Sequence, residues 1–100
     1  MIIEFFEAAL LDLKSSKKYY SEIDFNLGDH FLNDIKGALN DIKKHPNAFS
    51  QHHKFAHLRL KHCKRFPFTI IFHPDLKTET VYIVAVAHQK RTPNYWTDRI

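Results

Sequence analysis

At 100 residues, with 44% apolar residues, nine phenylalanines and only two glycines, the chain has the make-up of one packed domain (residues 1–100) and not of a disordered segment. Its single cysteine, Cys63, excludes an intramolecular disulfide, and its longest apolar run, Val81–Ala87, falls far short of the roughly twenty residues that span a bilayer. The formal net charge of +4 is unevenly placed, eight acids against six Lys/Arg in residues 1–50 and three against nine in residues 51–100, so the second half is expected to seek an acidic partner.

Ile2-Ile3 suits a short first strand, and no basic leader precedes Glu4, which fits a soluble, cytoplasmic protein with no membrane association. From Phe6 to Ile23 the residues Phe6, Leu10, Leu13, Tyr20 and Ile23 recur at helical spacing among Asp12, Lys14, Lys17, Lys18 and Glu22. Of the pair Tyr19-Tyr20, one ring is expected in the core and the other at the helix edge. Asn26 and Gly28 are expected to break this helix. A second follows, with Phe31, Ile35, Ala38, Leu39 and Ile42 forming one apolar stripe. Lys43, Lys44 and His45 suit the negative end of its dipole, and Pro46 stops it. The two helices read as an antiparallel hairpin.

Beyond Pro46 the period changes to two. Across Phe55–Lys61, Ala56, Leu58 and Leu60 alternate with His57, Arg59 and Lys61, which predicts a half-buried strand with a basic outer face. A basic connection through Lys64 and Arg65 leads to a strand over Phe66–Phe72, with Pro67 near its start. Pro74–Thr78 reads as a turn into the last strand, Thr80–Ala87. The fold class is therefore α+β: a short N-terminal strand, a helical hairpin, then a three-stranded antiparallel meander.

The last two strands are apolar on both faces, and a hairpin covers only one of them. The other face needs a cover, either the chain's own Tyr95-Trp96 tail or a partner. It is expected to be concave and to carry His57, Arg59, Lys61 and the C-terminal run His88–Arg99. Metal-free RNA cleavage needs a base, an acid and cations around the phosphate. His57, His88, Arg59, Lys61, Arg91 and Tyr95 supply those types. Against that stands the ordinary fate of alternating polar residues, a solvated strand face. The spacing of His52, His53, His57, His62 and Cys63 matches no closed zinc pattern, so no metal or other cofactor is expected.

An ordered set of residues gives the chain a family likeness: Asp12-Leu13, Tyr19-Tyr20, Leu27-Gly28 with Phe31, Ile42 with Pro46, and Arg59 with Arg65-Phe66-Pro67-Phe68-Thr69-Ile70. Val84–His88 with Arg91, Pro93, Tyr95-Trp96 and Arg99 completes it. With these the chain resembles the RelE/ParE superfamily of bacterial type II toxins, in its ParE-like, plasmid-stabilisation branch. The resemblance implies a growth-inhibiting toxin neutralised by a cognate antitoxin. Its target would be DNA gyrase or, alternatively, the ribosome with its mRNA, and an inactive degenerate member is a third alternative. RelE-like endonucleases usually carry an arginine where this chain has Thr69, and Phe66-Pro67-Phe68 with Pro93-Asn94-Tyr95-Trp96 belongs to the other branch, which tilts the implied target towards gyrase. Under the nuclease alternative the catalytic candidates are Arg59, His88, Arg91 and Tyr95. Candidates for target or nucleic-acid contact are His57, Arg59, Lys61, Lys64, Arg65, Lys90, Arg91 and Arg99. Tyr95 and Trp96 are expected to form a flap over the sheet, leaving His88, Arg91 and Arg99 exposed.

Overall fold

The computed structural model describes residues 1–100. The elements are β1 (Ile2–Phe5), α1 (Glu7–Ile23), α2 (Phe25–Lys44), β2 (Arg59–His62), β3 (Phe68–Asp75) and β4 (Thr80–His88), closed by a single 3-10 turn at Thr97–Arg99. The expected class and element order hold. The sheet is mixed, in the order β1-β4-β3-β2: the meander is antiparallel and β1 joins β4 in parallel.

The helical hairpin turns at Asp24, not at Asn26 or Gly28. The Asp24 N–H caps α1 on the Tyr20 carbonyl, and its carboxylate starts α2 by accepting from Asn26 N (2.8 Å). Gly28 lies inside α2 because the helices approach closely there. A Cβ at that position would overlap the Ser21 side chain and crowd the Lys17 carbonyl. The α2 stripe of Phe31, Ile35, Ala38 and Ile42 is buried as its periodicity demands. Tyr20 packs edge-on against Phe66 and tilted against Phe31, while Tyr19 points outward, 64% exposed.

Two cores result. On the helix side, Ala9 and the α2 stripe pack on Phe68, Ile70, Phe72, Val81, Ile83 and Val86. On the far side, Leu58, Ile71, Val84, Ala85 and Trp96 form a smaller cluster joined by Phe6, Phe55, Leu60 and Tyr95. The register slips between Ile71 and Phe72, leaving Val84 as an extra residue, so that Val84 and Ala85 both serve this second core.

Three boundaries differ from expectation. The strand expected over Phe55–Lys61 shrinks to Arg59–His62, because buried His52 folds the preceding residues into a turn. Its Nδ1 accepts the Lys54 and Phe55 N–H groups (3.0 and 3.2 Å). The strand after it opens at Phe68, one residue past Pro67, and runs on through Pro74-Asp75, which had been expected to turn. The Pro74 nitrogen needs no partner, since β2 stops opposite Phe72. The largest difference is in the faces. Arg59 and Lys61 stand in register with Phe72 and Ile70 and share the helix-side face. Leu60 and His62 pair with Ile71 and Thr69 on the far face. The far face is thus covered by the chain itself, by the Gln51–Leu58 loop and the C-terminal tail.

Candidate functional site

β1 leaves the sheet at Phe5, its ladder ending with Phe6 N–H donating to the Ile83 carbonyl (2.8 Å). β4 runs five residues further with β3 on one side and no strand on the edge that β1 has left, and the backbone groups of that edge need other partners. Side chains supply them. Asp12, from α1, accepts the Val86 N–H on Oδ2 (3.1 Å), and Arg99 Nη1 donates to the Val84 carbonyl (3.1 Å).

The same Asp12 gathers the tail. Arg99 grips it with both terminal nitrogens, Nη1 to Oδ2 at 2.7 Å and Nη2 to Oδ1 at 3.0 Å, in the planar two-bond geometry that suits guanidinium and carboxylate. The Tyr95 hydroxyl donates to Oδ2 (3.0 Å), and Arg91 Nη1 lies 3.7 Å from Oδ1. The Arg91 guanidinium carbon also lies over the Tyr95 ring, 3.5 Å from its centre, with that of Arg99 at 5.1 Å. Asp12 is 8% exposed and the Arg99 side chain 16%, so this is a buried ion pair reinforced by hydrogen bonds. Burial, then the Asp12 charge and hydrogen bond, push the Tyr95 hydroxyl up to about 12. Its hydrogen bond to Asp12 raises Arg99 above the ordinary guanidinium value.

On the far face, tail and loop meet. His52 Nδ1 is committed as an acceptor, so Nε2 carries the proton and donates to Asn94 Oδ1 (3.2 Å). Trp96 stands edge-on to both His52 and Phe55. Asn94 itself takes a positive φ of 60°, which an asparagine tolerates and which turns Tyr95 and Trp96 back over the sheet. Between tail and β2 runs a groove of about 240 Å³. Its walls include His53, His62, Thr69, His88, Arg91 and Tyr95. His62 is fixed there by a 2.7 Å hydrogen bond between Nδ1 and the Thr69 hydroxyl.

Of the residues singled out in the sequence, His88, Arg91 and Tyr95 reach this groove, and Arg91, Tyr95 and Arg99 converge on Asp12. Arg99, expected to be exposed, is the inner member of that cluster. Arg59 and Lys61 lie across the sheet. Arg59 donates to the Phe49 carbonyl, and Lys61 pairs with Asp41 (3.6 Å) over the Phe49 ring. Exposed His57 sits near the β4 end of β3, its carbonyl accepting from His73 Nδ1 (3.1 Å). Lys64, Arg65 and Lys90 are exposed on turns, with the Arg65 N–H donating to Asp34 (3.0 Å). Sequence reasoning passed over Asp12 as a hub, and it weighed His52, His53 and His62 only against a zinc pattern, not as neighbours of His88 in a groove. The available signal was position: Asp12 falls between Ala9 and Ser16 on the inward side of α1, where an unpaired carboxylate would be costly.

Residues 3–93 match the family model described as the ParE toxin of the type II toxin–antitoxin system parDE. None of the curated proteins matches the chain. Among solved structures, one described as the chromosomal ParDE toxin–antitoxin system from P. aeruginosa is similar with a TM-score of 0.75 at 16% identity. The match covers 88% of this chain and 95% of that one, and shows a shared fold.

Proposed function

The chain belongs to the ParE toxin family of type II toxin–antitoxin systems, and from that premise we propose that it arrests growth by binding DNA gyrase and not by cutting messenger RNA. Membership of a type II family brings a cognate antitoxin as its partner. No helix is long and apolar enough to cross a membrane.

The observation that carries the choice of target is the inward turn of the tail. A metal-free ribonuclease needs cations free for the phosphate and groups free to move protons. Here Arg99 is consumed by Asp12, and the Tyr95 hydroxyl donates to the same carboxylate and, held near 12, keeps its proton at neutral pH. Arg59 is on the opposite face of the sheet from the groove. What remains outward is a folded flap with a shallow, histidine-lined groove, suited to protein contact. Purified toxin at stoichiometric ratio is expected to inhibit supercoiling by gyrase, or to trap its cleaved-DNA complex, while leaving ribosome-bound message intact. Absence of any gyrase effect would overturn this.

One observation favours the nuclease alternative: His53, His62 and Arg91 share the groove, and Arg91 is half exposed. Primer extension on messages after induction decides it. Cuts in codon register that vanish in His62→Ala and Arg91→Ala would establish cleavage.

A further inference from the structure

With the far face of the sheet closed by its own loop and tail, unmatched positive charge collects at one end of it. β2 ends there at His62, β3 begins at Phe68 and β4 ends at His88. Lys64 stands on the connection after β2, and Lys90 and Arg91 on the turn after β4. The Gln89 N–H donates to the Pro67 carbonyl (2.8 Å), which ties the two turns side by side, two strand spacings or roughly 10 Å across. Neither lysine is paired with an acid. Asp34, in the pocket that Lys64 borders, has Oδ2 taken by the Arg65 and Phe66 N–H groups (3.0 and 2.8 Å), and Asp41 faces Lys61. Arg91 is the surplus cation of the Asp12 cluster, since Arg99 already matches that carboxylate. Two imidazoles stand beside it. His88 Nδ1 accepts the Lys90 N–H (3.0 Å), so Nε2 carries the proton and can donate. His62, bonded to Thr69 through Nδ1, keeps Nε2 without a protein partner. No carboxylate lines the groove that they share with Arg91.

We propose that this end of the sheet binds the phosphate backbone of duplex DNA, so that the toxin engages gyrase together with the DNA that gyrase holds. Arg91 and His88 take one phosphate at the lip of the groove, and Lys64 and Lys90 take its neighbours. The proposal rests on the gyrase reading above and deepens it by adding the nucleic acid to the target. The flap of Tyr95 and Trp96 is left for gyrase itself. Two observations favour DNA over an acidic protein surface at this rim. Spacing is the first. One DNA strand presents a phosphate about every 3.4 Å along its axis, so a row of cations roughly 10 Å across meets about three of them. Composition is the second. A protein interface centres on apolar or aromatic anchors, yet none of the eight large hydrophobic residues exposed on this fold lies in residues 62–68 or 88–92. Ammonium, guanidinium and imidazole groups are what backbone phosphates require, and they read no sequence.

The test uses the full chain and a short DNA duplex, with binding followed by fluorescence anisotropy between about 50 and 200 mM salt. The logarithm of the wild-type association constant is expected to fall against the logarithm of salt with a slope of about −3, from three cations at roughly −0.9 each. Lys64→Ala and Lys90→Ala alter exposed positions, and unchanged circular dichroism and Tm verify that both fold. Each is expected to reduce the slope by about 1 and to weaken binding about eightfold near 0.1 M salt, evenly across sequences. Arg91→Lys is expected to keep the slope and lose affinity, because the charge stays while the planar set of donors goes. A wild-type slope retained in both folded lysine variants would overturn the proposal, as would tighter binding of a single-stranded RNA than of the duplex. On gyrase, the Lys64→Ala/Lys90→Ala protein is expected to need at least about tenfold more toxin to trap the cleaved-DNA complex, with binding to DNA-free gyrase unchanged. An equal loss on DNA-free gyrase would overturn the proposal in favour of an acidic protein surface. Wild-type toxin that binds the duplex with the expected slope but has no effect on gyrase would instead sink the gyrase reading and leave the site standing.

Discussion

Asp12 and Asp41 each receive a basic side chain from a distant part of the chain, but the two pairs do different things. Asp12 is buried, takes two hydrogen bonds from Arg99, one from Tyr95 and one from the Val86 backbone, and fills the place of a missing strand. Asp41 is half exposed and meets Lys61 at a single 3.6 Å contact on the rim of the sheet. In sequence Arg99 and Lys61 look equally available to a nucleic acid. In the fold Arg99 holds the architecture together, and Lys61, its side chain equally covered, sets its ammonium over the Phe49 ring beside the more open Asp41. What separates the two pairs is desolvation of the acid, whose side chain is 6% exposed in Asp12 and 39% in Asp41. A carboxylate removed from water must have every lone pair answered, and the residues that answer it are withdrawn from function.

The severest way to break this comparison is Asp12→Ala. It leaves the Arg99 guanidinium buried without a counter-charge, and strips the Tyr95 hydroxyl and the Val86 N–H of their acceptor. The expected loss is about 3–5 kcal/mol, seen in thermal unfolding as a Tm lower by roughly 12 °C or more. Asp12→Ala/Arg99→Ala should recover part of that loss, because the stranded charge goes with its partner. A single variant within about 1 kcal/mol of wild type would mean that the hub carries no structural weight.

A smaller change sharpens the account. Tyr95→Phe keeps the ring that Arg91 and Arg99 contact and removes one hydrogen bond to a carboxylate, an expected loss of about 1.5 kcal/mol at neutral pH. It also alters the alkaline limb. The folded protein holds the Tyr95 proton up to about 12, above the ordinary tyrosine value near 10, through burial first and Asp12 second. The stabilisation linked to that proton is therefore complete below pH 10 and lost as pH rises towards 12. Urea unfolding of wild type should show stability falling across that window, and Tyr95→Phe should lack this component. An identical alkaline limb in both proteins would show that Tyr95 ionises as freely folded as unfolded.

The sequence made some of this legible and hid the rest for identifiable reasons. The α2 stripe, the apolar β4 and the division of labour between Tyr19 and Tyr20 follow from local periodicity, which needs no knowledge of the rest of the chain. Alternation also placed Leu58 and Leu60 opposite Arg59 and Lys61 correctly. It did not reveal which set faces the helices, because β3 and β4 are apolar on both sides and either orientation of β2 buries hydrophobic surface. The decision lay with the tail, whose Trp96 completes a second core. Asp12 escaped notice for a similar reason. Its partners stand 74 to 87 positions away, and no local pattern announces that β1 stops short and leaves β4 in need of an acceptor. The groove histidines are likewise a product of folding, brought together from the loop, β2 and the end of β4.

The least disruptive change tests the other side of the comparison. Lys61→Met keeps an unbranched apolar stem and removes the charge that faces Asp41 and lies over the Phe49 ring. Asp41 is 39% exposed at its side chain, so water can take over its solvation when the lysine is gone. Such a rim pair is worth about 0–1 kcal/mol and is screened by salt. Lys61→Met is therefore expected to stay within about 1 kcal/mol of wild type, with the difference shrinking further as ionic strength rises. If it instead destabilised the protein as severely as Asp12→Ala, the rim of β2 would be as dependent on its charge as the hub. The tail and the β2 edge would then differ only in place, and burial of the carboxylate would no longer explain why the Arg99 pair is structural and the Lys61 pair is not.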